Sequence, residues 1–485
     1  MVDAKEVNVL SILNRSGIII GNANSGKSSI VMGVIEQSLH SWLERPELKE
    51  GFSLFEQNTD LVWNVLNQLM KAELDGKKVE WNKVRIIRFK DSKHVPKLNL
   101  LHCDEHEKLG EIVNDVAVYM REIGLFKGGT GLDGERFVRV AIRTLLADKH
   151  REYCVLDINR FIADKYFREE ILDRVEESAR NHCKCYLEPF ENTDKQILRL
   201  KRLSGVHKRI EGSLGQKYQS LLKKKEILES QTLEAQMWSL VKAIDCYFGK
   251  GYLKEIYGKG EFSLEIQKWM DEGYIVLYDF SGMSDFEIRM TSNYIIQQYF
   301  SGLTNRPIYC RKHKMFLNRI DVMYSTGMLR ALTTGRQFGL AVWAVFNELT
   351  NSFHMKMVEI LDEINGNVLV CKSDGETKRF LEDIAFRDLK GENIIQNLSH
   401  GRAIFQTYMY PYDDQREIGN IGKVSYQIKD YGFKKRYVLW GKPINRYLSN
   451  GKMVERQNEG EISKSNEWVL AKMEELEGQV EWALS

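Results

Sequence analysis

The chain has 485 residues, 43% of them hydrophobic and 28% charged, and a formal net charge of +2. This is the composition of a soluble globular protein with room for two or three domains, and its overall charge says nothing about partners, so only local charge can. Seven cysteines at 103, 154, 183, 185, 246, 310 and 371 are odd in number and widely spaced, which argues against a disulfide framework. Their one cluster, His182-Cys183-Lys184-Cys185, has no second ligand pair at zinc spacing. The longest apolar runs, such as Leu340–Phe346, have strand length and fall far short of a membrane span. The opening Met-Val-Asp-Ala-Lys-Glu lacks the layout of a signal peptide. A cytoplasmic protein with no membrane span of its own is therefore expected.

In chain order, Gly17–Ile20 reads as a buried strand and Ser29–His40 as a helix. Between them, Gly21-Asn22-Ala23-Asn24-Ser25-Gly26-Lys27-Ser28-Ser29 fits G-x-x-x-x-G-K-[ST] without a mismatch. The strand–loop–helix setting is what this phosphate-binding motif requires. Such a loop is poor in side chains because its backbone N–H groups must wrap phosphates closely. Lys27 is expected to reach the β- and γ-phosphates, and the Ser28 hydroxyl to ligate Mg²⁺. ATP and Mg²⁺ are the cofactors this implies.

Val84–Phe89 reads as the second strand, and residues 107 to about 265 are mostly helical by periodicity. Apolar positions there run Ile112, Val116, Val118 and Met120, then Phe137, Val140, Ala141, Leu145 and Leu146, with a glycine-rich break at Gly124–Gly134. Strands return at Tyr274–Tyr278, Lys314–Leu317, Leu340–Phe346 and Asn367–Cys371, with helices at about 284–302 and 354–364. This alternation predicts an α/β fold with a mainly parallel sheet. Val424–Tyr447 is aromatic and basic and suggests a hairpin, and an acidic end carries one expected helix over 466–484, anchored by Trp468 and Trp482. The expected domains are a core part at 1–106, an all-helical insertion at 107–265, a second core part at 266–423 and a C-terminal extension at 424–485.

With these elements in place, the chain resembles ATPases of the HerA–FtsK superfamily, most closely the branch of conjugative coupling proteins and type IV secretion ATPases. The phosphate loop comes first. Lys97–Leu101 resembles the family's N-P-L turn, with Leu100 where proline is usual, and Gly131–Leu146 resembles the start of its helical insertion. Tyr278–Gly282 resembles its D-L-S-G strand end, and Thr334–Leu340 its G-R-K-Y-G segment. Ile364–Asn367 and Ser373-Asp374 resemble its G-N and S-D elements, and Gly401–Ala403 its G-R-A turn. Only the phosphate loop is specific alone; the evidence is the order of the segments over about residues 15–410. The resemblance implies a RecA-like P-loop NTPase core with an all-helical insertion. It also implies a homo-oligomeric, usually hexameric, ring that uses ATP to move DNA or protein through a pore. The family's membrane helices and N-terminal barrel have no counterpart here, so the resemblance implies a stripped motor or one anchored by a membrane or secretion-channel partner.

The catalytic acids depart from the family pattern. Where an Asp-Glu pair is expected after an apolar strand, this chain has Asn318 and Arg319, with Asp321 two positions on. Asn retains the capacity to hold a water, whereas a guanidinium stays protonated and is no general base. Strand alternation would place Asp321 on Arg319's face. Asp279, ending its own apolar strand, is the rival acid, with Asp285 and Glu287 nearby; Asn347 stands where the family has a sensor Gln. Two readings stay open: an active ATPase with altered acids, or a hydrolysis-deficient ATP-binding subunit that assembles with an effector or an active motor, for instance in phage defence.

Ring ATPases supply an arginine in trans, for which Arg336 is the first candidate and Arg402 the second. Residues 195–225 carry ten Lys and Arg against Glu211 alone, including Lys201, Arg202, Lys208, Arg209, Lys223, Lys224 and Lys225. That excess suits the DNA backbone without base readout. A solvated helix face balanced by Glu226, Glu229 and Glu234 is the competing explanation.

Overall fold

The computed structural model describes residues 16–48, 50–90, 95–102, 109–126, 131–207, 223–229, 231–260, 264–304, 306, 312–346, 367–384, 395–398, 402–408, 427–431, 434–440, 471–472 and 475–476. Two compact units divide the chain, Met1–Pro96 with Glu265–Ser485 in one and Lys97–Leu264 in the other.

The first unit is built on one sheet of ten strands: β1 (Gly17–Ile20), β2 (Gly51–Glu56), β3 (Val84–Arg88), β4 (Ile275–Asp279), β5 (His313–Leu317), β6 (Leu340–Phe346), β7 (Asn367–Cys371), β8 (Arg402–Tyr408), β9 (Gln427–Tyr431) and β10 (Lys434–Trp440). Their spatial order is β3-β4-β2-β5-β6-β1-β7-β8-β10-β9. Every pairing from β3 to β7 is parallel. β8 lies antiparallel to β7 and β10, and β10 antiparallel to β9. The α/β class with a mainly parallel sheet is thus the fold of this unit, and the expected hairpin is β9–β10, which extends the sheet through β8.

The parallel strands are buried on both faces, as crossover helices require. All of β1, β2, β4, β5, β6 and β7 is buried. On one face, Ile19, Leu54, Leu277, Phe316 and Val345 pack against Val31 and Ile35 of the helix Lys27–Glu44 and against Val62 and Leu66 of the helix Asp60–Leu74. Leu476, from the C-terminal segment, is buried in the same core. Helices Ile266–Glu272, Asp285–Thr304, Ile320–Met323, Thr326–Thr334 and Gly375–Ile384 also belong to the unit. The helix expected at about 354–364 lies outside the described residues.

Two expectations need correction. β2 was not predicted: Val84–Arg88 is the third strand along the chain and stands at the sheet edge, while β2 is internal, between β4 and β5. Ser53 interrupts β2's apolar run, and its hydroxyl is satisfied by Tyr299 Oη (2.5 Å) and His313 Nε2 (2.8 Å), partners remote in sequence. Burial holds the His313 imidazole down at about 3, so this ring stays neutral. The second correction concerns Gly401–Ala403, expected as a turn: Arg402 and Ala403 already belong to β8.

The second unit is helical in its regular elements: Leu109–Glu122, Gly131–Ala147, Val155–Ala163, Lys165–Arg174, Glu177–His207, Leu233–Phe248 and Gly251–Tyr257. The inward stripe of the first helix is Val113, Val116, Ala117 and Met120, at the i, i+3, i+4, i+7 spacing of one helical face. Ile112 and Val118, expected on that stripe, are half-buried at its flanks. The turn at Lys97–Leu101 is pinned by the buried Asn99, whose Oδ1 accepts from Leu101 N (2.9 Å) and whose Nδ2 donates to Gly260 O (2.8 Å).

Candidate nucleotide site

The loop Gly21–Ser29 joins β1 to the helix Lys27–Glu44 at the carboxyl edge of the parallel strands, where open α/β sheets bind ligands. Gly21 leaves no room for a side chain: a Cβ would stand 2.6 Å from Ser25 Oγ and 2.7 Å from Cys371 Cβ. Asn24 (φ 57°) and Gly26 (φ 91°) are left-handed, and such alternation curls backbone N–H groups into an anion-binding concavity. No acidic residue occupies the helix's first turn, so the positive end of its dipole is not offset there. Lys27 is buried, and its ammonium donates to Gly21 O (2.8 Å) and Asn22 O (2.5 Å) of its own loop. A phosphate would offer that ammonium charged acceptors in place of neutral carbonyls. Asn22 Nδ2 donates to Asp374 Oδ1, tying the loop to the segment after β7. Burial pushes the neighbouring Cys371 thiol up to about 12. Ser28 is exposed at the helix start, as a hydroxyl for Mg²⁺ must be. The residues present fit a nucleotide triphosphate with Mg²⁺.

The strand ends beyond β1 show what became of the acids. β5 stops at Leu317, and Asn318 and Arg319 form a turn in which Arg319 is left-handed (φ 66°) before the short helix Ile320–Met323. Arg319 Nη1 donates to Gln57 Oε1 (2.8 Å), and Nη2 to Asp321 Oδ2 (3.0 Å). Strand alternation therefore has no part in bringing Asp321 to Arg319: the strand has ended, and a turn makes the ion pair. Only one carboxylate oxygen of Asp321, Oδ2, is taken by that pair, and Oδ1 is buried without a hydrogen-bond partner among the described residues.

Asn318 Nδ2 donates to Glu56 Oε2 (2.8 Å), and Glu56 had no place in the sequence reading. It is the last residue of β2, 1% exposed, with Oε1 accepting from Asn58 N (2.9 Å). Burial raises its carboxyl to about 7, against the opposing hydrogen bonds from Asn58 and Asn318.

Asp279 ends β4 and is fully buried, and its charge is paired with an arginine. Arg88 Nε donates to Oδ2 (3.2 Å) and Ser281 N to Oδ1 (2.9 Å). Strand order separates the candidates further. Counting from β1 through β6, Asn318 is two strands away, Glu56 three and Asp279 four, or about 10, 14 and 19 Å at the usual strand spacing.

Of the remaining predicted residues, Arg336 is exposed on the 3₁₀ turn Gly335–Phe338 before β6, and Arg402 begins β8. Asn347 lies outside the described residues, as do Lys208 and Arg209. Lys201 and Arg202 are exposed on the helix Glu177–His207, and Lys223 and Lys224 are exposed on the helical stretch 223–229. Lys225 pairs with Glu229 at 3.3 Å. These cations belong to the second unit, the phosphate loop to the first. Cys183 is buried and Cys185 exposed, so that cluster does not converge, and among the described residues no group of three or more His, Cys, Asp or Glu is placed to hold a metal. No described helix is long and apolar enough to cross a membrane.

No family model matches the chain, and no curated protein matches it. Solved structures do. Plasmid coupling protein TrwB in complex with the non-hydrolysable GTP analogue GDPNP is 12% identical, with a TM-score of 0.48 over 94% of this chain and 93% of that one. Its complex with the ATP analogue ADPNP gives 12% and 0.47 over 94% of each chain. The complex with ADP and Mg²⁺ gives 13% and 0.43 over 84% of this chain and 87% of that one. At such identities and TM-scores these are likenesses only.

Proposed function

We propose that this chain is an ATP-binding motor of the HerA–FtsK type, working in DNA translocation or coupling during conjugation, type IV secretion or a related mobile-element process. The observation that carries the reading is the complete phosphate loop on β1, at the edge where the ends of β5 and β2 bring a polar pair, Asn318 and Glu56. Loop N–H groups and the helix N-terminus would bind the phosphates, Lys27 would leave Gly21 O and Asn22 O to neutralise the terminal ones, and Ser28 would hold Mg²⁺. Bound there, the ion would supply charge neutralisation to the phosphates. Arg336 is the trans arginine in a homo-oligomeric, hexameric ring. The basic segment around Lys201, Arg202, Lys223 and Lys224 contacts the DNA backbone.

One observation favours a second reading. Arg319, at the position of the expected base, is tied to Gln57 and Asp321, which suits an ATP-binding subunit that does not hydrolyse. Phosphate release from ATP·Mg²⁺, with and without DNA and beside Lys27→Ala, separates the two. DNA-stimulated turnover lost in the variant supports the motor. Tight ATP binding without turnover supports the non-hydrolysing subunit.

A further inference from the structure

We infer that Glu56 is the general base of this ATPase, taking over from the strand β2 the role that Arg319 cannot perform on β5. The inference rests on the proposed ATP hydrolysis and adds to it the residue that activates water.

Four observations carry it. First, Glu56 is a carboxylate at the carboxyl end of an internal parallel strand, on the same edge as the phosphate loop. Second, β2 and β5 run in register, Phe55 opposite Leu317, and Asn318 N donates to Phe55 O (3.0 Å), so Glu56 and Asn318 are held side by side by the backbone. Third, among the described residues no cation neutralises Glu56: Asn58 N and Asn318 Nδ2, both neutral donors, hydrogen-bond its two oxygens. Asp279 and Asp321, by contrast, are each paired with an arginine. Fourth, Glu56 stands nearer the phosphate strand than Asp279 does: β2 is three strands from β1, roughly 14 Å, and β4 four, roughly 19 Å. Burial that raises Glu56's proton affinity makes it a stronger base than an exposed carboxylate.

In the step, a water oxygen forms its bond to the γ-phosphorus as the bond from that phosphorus to the β,γ-bridging oxygen breaks. The electron pair of the broken bond leaves with ADP. Glu56 accepts the proton of the attacking water and passes it to the released phosphate. Asn318 positions the carboxylate.

The test compares wild type, Glu56→Gln and Glu56→Ala in full-length protein. It uses phosphate release from ATP·Mg²⁺, binding of a fluorescent non-hydrolysable ATP analogue, and sodium formate as a chemical rescue. Glu56→Gln should lose about 100-fold or more in kcat while analogue affinity stays within about threefold, since the base does not touch the bound phosphates. Formate should restore part of the turnover of Glu56→Ala, a response that a merely structural role would not give. Active wild type with Glu56→Gln turning over within a few-fold of it would overturn the assignment and leave the motor reading standing. So would a loss of analogue binding in both variants that formate does not repair. Wild type that binds the analogue and releases no phosphate would overturn the hydrolysis reading, and this inference with it.

Discussion

The ends of β1 and β5 are neighbouring parts of one sheet edge, and they treat the sequence pattern in opposite ways. At β1 the motif is complete, and every residue that makes the loop lies within nine positions of the chain. At β5 the expected acids are replaced by Asn318 and Arg319, and the carboxylate that stands there, Glu56, comes from a strand 262 residues away in sequence. Phosphate binding needs a contiguous curl of backbone, so it is written locally. Water activation needs one carboxylate at the right place, and sheet pairing can supply that from any neighbouring strand.

The largest expected effect falls on the β1 side. Lys27→Ala removes the one ammonium of the loop and should lower turnover by about 100-fold or more, with weaker nucleotide binding, measured by phosphate release and analogue titration. If nucleotide affinity were unchanged, the β1 end would not be the phosphate site. In the second unit, charge reversal at Lys201, Arg202, Lys223 and Lys224 should cost about 10-fold or more in DNA affinity and flatten the dependence of log K on log salt. Fluorescence anisotropy at several salt concentrations reads both, and an unchanged slope would assign those cations to a solvated face.

A smaller effect concerns stability and distinguishes the two ends by sign. The folded protein binds Glu56's proton with a pKa of about 7, above the ordinary 4.5. Between those values the folded state carries the proton and the unfolded state does not. This contribution is therefore complete below pH 4.5 and lost as pH rises through 7, a change on the order of 3 kcal/mol. Glu56→Gln should be insensitive to that loss and unfold at higher denaturant than wild type at pH 8. An equal or lower midpoint would mean that the ionised carboxylate is well solvated or paired. Smallest of all should be Arg319→Ala, which removes a half-exposed pair with Asp321 and should shift stability by less than about 1 kcal/mol. If it instead abolished turnover, Arg319 would belong to the chemistry and the contrast between β1 and β5 would dissolve.

How much was legible follows the same division. The loop and the runs Leu340–Phe346 and Asn367–Cys371 could be read directly, because continuous apolar strands and a contiguous motif are local signals. β2 escaped because Ser53 breaks its apolar run, and only the fold shows that Tyr299 and His313 satisfy that hydroxyl. Glu56 escaped with it, although Ser-Leu-Phe-Glu ends in an acid much as Leu277-Tyr278-Asp279 does. Asp279 looked the better acid by pattern alone, and what removes it is Arg88, delivered by β3 in register opposite it. No spacing rule reveals such a partner. The acidic C-terminal segment carries no local signal of what it packs against. Leu476 is buried in the core, and Lys472 lies over the Trp81 ring at 4.6 Å, so its described residues pack.

The most direct measurement is steady-state phosphate release from ATP·Mg²⁺ by wild type between pH 5 and 9, with and without single- and double-stranded DNA. The account predicts DNA-stimulated turnover that falls away below about pH 7, as Glu56 becomes protonated and can no longer accept the water's proton. Nucleotide bound without turnover anywhere in that range would contradict it, and would leave a complete phosphate loop serving a protein that holds ATP without hydrolysing it.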